Sequence, residues 1–171
     1  GELLGDNTVM ARGRDKLRRW LAFTDRSGTF YEYNCPGYTG MSIERLAELS
    51  KLTADPETRV LARVFAARMG LSAFLHAHPS TGRWVGPFSR AYQPQVACQS
   101  PPEIGWMRSW LENGSLPAWL SGALESKPLP FFVQETSSTD DRQMMSSYQC
   151  DDFAMGVATG DLSSQANRFV E

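Results

Sequence analysis

The feature that most limits the fold is a helical hairpin signal across residues 41–77. Ser42 can cap its first helix, and Ile43, Leu46, Leu49 and Leu52 recur at three-residue intervals on one face. A short link, Thr53-Ala54-Asp55-Pro56-Glu57, follows, with an aspartate cap and a proline at the first helical position. Val60, Leu61, Val64, Phe65, Met69, Leu71, Phe74 and Leu75 then make the segment 56–77 apolar on most sides. A helix of that kind is buried among other helices. Two antiparallel helices with so short a link are the unit of helical bundles and of helical toroids.

The rest of the chain extends this reading. Val9, Leu17, Trp20, Leu21 and Phe23 predict another helix over 7–23, with Arg12, Arg14, Lys16, Arg18 and Arg19 on a solvated face. Turn chemistry at Asp25-Arg26-Ser27-Gly28 ends it. Two short helices are predicted at 103–113 and 117–125. After Pro130 the period changes, and 131–133, 144–150 and 153–158 read as short strands. The expected fold class is mainly α, a partial (α/α) toroid of helical hairpins followed by a short β region. The expected division is a helical domain over 1–128 and a β-rich segment over 129–171, the possible start of a β-sandwich.

Composition narrows the function classes. The chain has 171 residues, 42% of them hydrophobic and 21% charged, a globular balance that argues against wholesale disorder. With 17 basic and 19 acidic residues there is no cationic stripe for a phosphate backbone, so nucleic acid is not expected as a partner. No apolar run has membrane-spanning length, so no membrane partner is expected either. Three cysteines, Cys35, Cys98 and Cys150, cannot form a complete disulfide set, and no CxxC or Cys/His cluster suggests a metal. The chain opens without an initiator methionine or a basic-then-apolar leader, and the expectation is an excised piece of a larger protein.

Two stretches concentrate the unusual chemistry. Residues 28–38 read GTFYEYNCPGY and residues 82–92 read GRWVGPFSRAY. Loops gain nothing from exposed aromatics, so both are expected to press on a core or a ligand, facing each other across a cleft. Walker A, GxGxxG, HExxH and GxSxG signatures are all missing. What remains is Glu32, Asn34 and Tyr38 in the first loop and His78, Arg90 and Tyr92 around the second.

These are the residue types needed for β-elimination from a uronate. Removing the proton beside a carboxylate requires that the carboxylate first be neutralised, a task for Asn34 and Arg90. A base, His78 or Tyr92, takes the C5 proton, and Tyr38 or Tyr92 returns one to the leaving oxygen. Glu32 orients Arg90, and Trp84 is the best sugar platform. No metal or other cofactor is needed. Each residue has a structural alternative. His78 can cap carbonyls, Asn34 can hold a turn, Arg90 can simply pair with Glu32, and Trp84 and the tyrosines can be core. Cys35 precedes a proline without a helix N-terminus to activate it, which argues against a thiol nucleophile.

The run EYNCPGY, the hairpin with its Asp-Pro-Glu link and then HPSTGRWVGPFSRAY resemble the heparinase- and alginate-lyase-like (α/α) toroid polysaccharide lyases, with a weaker echo at SYQCDDFAMGVATG. The resemblance covers about residues 20–92. It implies an incomplete helical toroid followed by β-sandwich layers, secretion or a periplasmic location, and an acidic polysaccharide as partner. It also implies roles for Asn34, His78, Arg90 and the tyrosines in the elimination. In one departure, this chain has Phe88 before SRAY, where such lyases more often carry histidine. The alternatives are hydrolysis on the same scaffold by Glu32 with Asp151 or Asp152, and a non-catalytic carbohydrate-binding or structural module.

Overall fold

A computed structural model describes residues 1–29, 32–90, 102–138 and 143–159. The described chain is mainly helical. A 3₁₀ turn at Glu2–Leu4 leads into α1 (Asn7–Ser27), α2 (Pro36–Leu52) and α3 (Pro56–Leu75). A two-residue ladder, β1 (Ala77–His78) with β2 (Arg83–Trp84), closes the turn after α3. Then come α4 (Glu103–Glu112), a 3₁₀ turn at Ala118–Leu120 and α5 (Ser121–Glu125). The antiparallel sheet β3 (Phe131–Ser138), β4 (Gln143–Gln149) and β5 (Ala154–Ala158) follows in sequential order.

The α2–α3 hairpin forms where the capping residues put it. Asp55 accepts from the Thr58 amide at 2.8 Å and from its hydroxyl at 2.6 Å, with Pro56 in the first turn. Ile43 and Leu46 on α2 meet Ala62, Phe65, Ala66, Met69, Ala73 and Phe74 on α3 in one core, joined by Met107 and Trp110 from α4. Leu52 leaves the predicted stripe and is exposed, because the helix ends there and Thr53 turns the chain.

Helix α1 lies parallel to α3. Arg14 pairs with Asp55 at 2.9 Å at one end, and Arg68 pairs with Asp25 and donates to the Thr24 carbonyl at 3.0 Å at the other. Surface pairs of this kind contribute little energy, but they define the alignment. Trp20 meets Phe65 edge-on, with ring centroids 4.2 Å apart, and ties α1 to the core.

Two boundaries differ from the sequence expectation. Helix α1 runs on through the predicted turn and ends at Gly28, whose φ of 90° suits a residue without Cβ. Helix α2 starts at Pro36 rather than near Met41, with Cys35 at its N-cap. The first aromatic stretch therefore runs into a helix at Pro36, and Tyr38 stands in its first turn.

The sheet docks on the C-terminal end of α3, and Lys127 is the fastener. Its ammonium donates to the carbonyls of Phe74 at 3.0 Å, Leu75 at 2.8 Å and Ala77, and to Gln149 Oε1 at 3.1 Å. It also lies 5.0 Å from the centre of the Phe131 ring. The carbonyls of Phe74 and Leu75 belong to the last turn of α3, where a helix leaves its carbonyls without intrahelical partners, and that of Ala77 follows on β1. Gln149 on β4 donates to the Leu75 carbonyl at 2.9 Å, so the same helix end holds the sheet directly.

Burial pulls the Lys127 pKa down from 10.5 to about 8. A base whose folded pKa is depressed loses its proton in the folded state first. From about pH 8 up to the ordinary lysine value near 10.4, the unfolded chain binds a proton that the folded chain has released, so stability rises with pH. Urea midpoints of wild type and Lys127→Met, measured on both sides of that window, are expected to show wild type gaining stability relative to the variant as pH increases. A relative loss would contradict this.

Candidate functional site

The two aromatic loops do not stand apart across an open gap. They are joined by hydrogen bonds. Asn34 is 3% exposed and sits in the left-handed region with φ 45°, a conformation asparagine tolerates better than most residues. Its side-chain nitrogen donates to the carbonyls of Val85 at 2.9 Å and Pro87 at 2.8 Å. Its oxygen accepts from the Trp84 indole at 2.5 Å. Both amide protons are used on backbone, and the Ser89 amide adds a bond to the Tyr33 carbonyl at 3.2 Å. In this arrangement Asn34 has no donor left for a substrate carboxylate. It staples the second loop to the first.

Trp84 does not offer a flat face to a sugar. It is 4% exposed and belongs to the core cluster with Phe88. The reason is its indole N–H, which is satisfied only by turning inward to Asn34. Phe88, in place of the expected histidine, packs in the same core and brings no titratable group.

His78 is fully buried on β1. Its Nε2 lies 2.7 Å from the Cys150 carbonyl and its Nδ1 lies 2.8 Å from the Thr81 hydroxyl. A carbonyl only accepts, so Nε2 carries the proton and Nδ1 accepts from Thr81. The ring's one lone pair is engaged, which removes His78 from the proton-transfer role in this conformation. It ties the end of the hairpin to the β4–β5 turn instead, where Asp151 and Asp152 are exposed.

The exposed members of the set are Glu32, Arg90 and Tyr38. Arg90 Nε donates to Glu32 at 2.8 Å, with the two side chains 44% and 32% exposed. Tyr38 lies at the surface in the first turn of α2. Tyr92 lies outside the described residues. The loop surface thus carries a guanidinium paired with a carboxylate over the buried Asn34, Trp84 and Phe88, and the first turn of α2 carries an exposed phenol.

Cys35 caps α2, contrary to the expectation that no helix N-terminus reaches it. Burial is the largest influence and raises its pKa, outweighing the amides of Tyr38 and Gly37, so the thiol remains a poor nucleophile. Cys35 and Cys150 are both free.

A second polar cluster escaped the sequence reading. His76 Nε2 lies 2.9 Å from Glu135 Oε2, and Ser72 donates to the same oxygen at 2.8 Å. Burial pushes Glu135 up, but the His76 bond and charge, the Ser72 bond and the Arg68 charge outweigh it and hold the carboxyl below its ordinary value. The three residues come from α3, its C-cap and a strand across the sheet junction. The only sequence signal was a serine and a histidine one helical turn apart. Both side chains converge on one carboxylate oxygen, which fastens β3 to α3 and leaves no serine–histidine relay.

Among the described residues, no group of three or more His, Cys, Asp or Glu side chains is arranged to hold a metal ion. Among the same residues, no helix is long and apolar enough to cross a membrane. Comparisons with family models, with curated proteins and with solved structures find no match to this chain.

Proposed function

We propose that the chain is part of an (α/α) toroid polysaccharide lyase-like protein whose two-loop corner engages an acidic, uronate-containing polysaccharide. The observation that carries this reading is the Arg90–Glu32 pair, half-exposed at the end of a loop that Asn34 holds from beneath. A guanidinium presents a planar fork of N–H donors whose shape matches a carboxylate, which is the chemistry a uronate would require of Arg90.

In the elimination, Arg90 pairs with the uronate carboxylate and stabilises the charge that develops when the C5 proton leaves. The electron pair of the C5–H bond becomes the C4–C5 double bond, the C4–O bond breaks, and the leaving oxygen takes a proton. In this reading the protons pass through a phenol, Tyr38, which is exposed in the first turn of α2, or Tyr92 of the sequence set. Glu32 positions the guanidinium. Asn34, Trp84 and His78 act through the backbone they hold.

The saturation of Asn34 and His78 favours a second reading, a corner that binds the polymer without turning it over. One experiment separates the readings. The protein is incubated with polymannuronate, polygalacturonate and a glycosaminoglycan, and the ultraviolet absorbance of the unsaturated product is followed alongside polymer binding. The lyase reading expects absorbance to rise, and Arg90→Ala and Tyr38→Phe to abolish it without a change in circular dichroism. Binding that Arg90→Ala removes, with no absorbance from any polymer, supports the non-catalytic reading. Reducing ends without absorbance point to hydrolysis by Glu32 with Asp151 or Asp152. Neither binding nor product overturns the proposal.

A further inference from the structure

A cleft of about 660 Å³ opens between α1, the C-terminal part of α2 and the α2–α3 link, at the end of the hairpin away from the two loops. Its volume lies within the range of small-molecule sites. At roughly 30 Å³ per non-hydrogen atom it has room for about twenty. Val9, Leu17 and Trp20 from α1 and Leu49 and Leu52 from α2 give it an apolar lining.

The charges around the cleft are unequally committed. Glu2 accepts from the Thr53 hydroxyl and from the amides of Ala54 at 2.9 Å and Asp55 at 3.4 Å. The Thr53 bond leads in holding its carboxyl below the ordinary value. Asp55 accepts from Thr58 and from Arg14, and the Thr58 hydroxyl leads in lowering its pKa. Both carboxylates are therefore ionised and engaged. Lys16 also lines the cleft, yet among the described residues no carboxylate pairs with it. Arg14 answers Asp55, and the hydroxyl and amides of the α2–α3 link hold Glu2, so an anion brought to Lys16 displaces no existing ion pair.

Gly13 supplies an independent observation. It lies inside α1, where glycine costs about 1 kcal/mol relative to alanine. A Cβ there would meet nothing within 4 Å, so no neighbour in the fold requires the glycine. It lines the cleft, and its missing side chain is what keeps that wall open.

We propose that this cleft binds a small anionic amphiphile, with one apolar chain lying against Leu17, Trp20 and Leu49 and one anionic group at Lys16. The inference is independent of the polysaccharide reading. The test uses dodecanoate, dodecanol and dodecyltrimethylammonium, each below its micellar concentration, in isothermal titration calorimetry with the whole chain.

Dodecanoate is expected to bind one-to-one and more tightly than dodecanol, while the cationic amphiphile binds weakest. Lys16→Glu is expected to weaken dodecanoate roughly tenfold and to leave dodecanol within about twofold. Gly13→Phe fills the cleft from a site that tolerates a side chain, and is expected to abolish binding of both while melting at or above the wild-type temperature. Dodecanoate binding unchanged by Gly13→Phe, or equally strong in Lys16→Glu, overturns the proposal. So does a ligand-free dimer in sedimentation that Gly13→Phe dissociates, since a second copy would then occupy the cleft.

Discussion

Asn34→Ala is expected to lower the unfolding free energy by about 4 kcal/mol, well above the cost of an ordinary surface substitution. The substitution strips partners from the Trp84 indole and from the carbonyls of Val85 and Pro87, all at a buried junction. Leaving a buried polar group unsatisfied costs about 1–3 kcal/mol, and water entering the vacated space recovers part of that for the carbonyls. The backbone adds to it. At φ 45° an alanine is less favourable than asparagine by roughly 1 kcal/mol. Asn34→Asp is expected to be at least as damaging, because a carboxylate would keep the Trp84 bond but face two carbonyl oxygens with no proton to give. Equilibrium urea unfolding measures both, and tryptophan fluorescence reports the release of Trp84. A loss below about 1 kcal/mol, the usual scale of an exposed turn asparagine, would show that the amide does not carry the contact between the loops.

The role of Asn34 also shows where sequence reasoning stops. An amide that neutralises a substrate carboxylate and an amide that holds a loop use the same two donors. The sequence presents the residue type, and only the position of Val85 and Pro87, about fifty residues away, decides which acceptor it meets. Arg90 and Glu32 are different. Opposite charges in two aromatic loops had an obvious mutual solution, and they do pair.

In the fold, the α2–α3 hairpin was legible because the stripe, the Asp55 cap and Pro56 all agree. The start of α2 was not, because Pro36-Gly37 carries turn chemistry as readily as a first helical turn, and Ser42 offered a plausible cap further on. The β1–β2 ladder is two residues long, too short for any period to register. Lys127 sits between the end of α5 and two prolines, with no pattern to mark it. Its partners are helix-end carbonyls, which every sequence has and no side chain announces.

The second large effect is expected at Gly156, and it is coupled to the first. A Cβ at this position would lie 1.9 Å from the Gly86 carbonyl oxygen, 2.1 Å from its carbon and 2.5 Å from the Pro87 nitrogen. All three are backbone atoms, so no rotamer change relieves the contact. The loop cannot simply retreat either. Asn34 grips the carbonyls of Val85 and Pro87, the residues on both sides of Gly86. The strain therefore falls on β5, which among the described residues pairs only with β4. Gly156→Ala is expected to cost about 3 kcal/mol and to raise hydrogen exchange in β5 ahead of global unfolding. In the double variant Asn34→Ala/Gly156→Ala, the loop is already released and can move away from the new methyl group. The two losses should then sum to less than their separate values, with a coupling of about 1–2 kcal/mol. Additivity to within about 0.5 kcal/mol would mean that the 82–90 loop yields independently of Asn34. The exposed Arg90 would then rest on a movable base, and the positioning argued for it at the two-loop corner would lose its support.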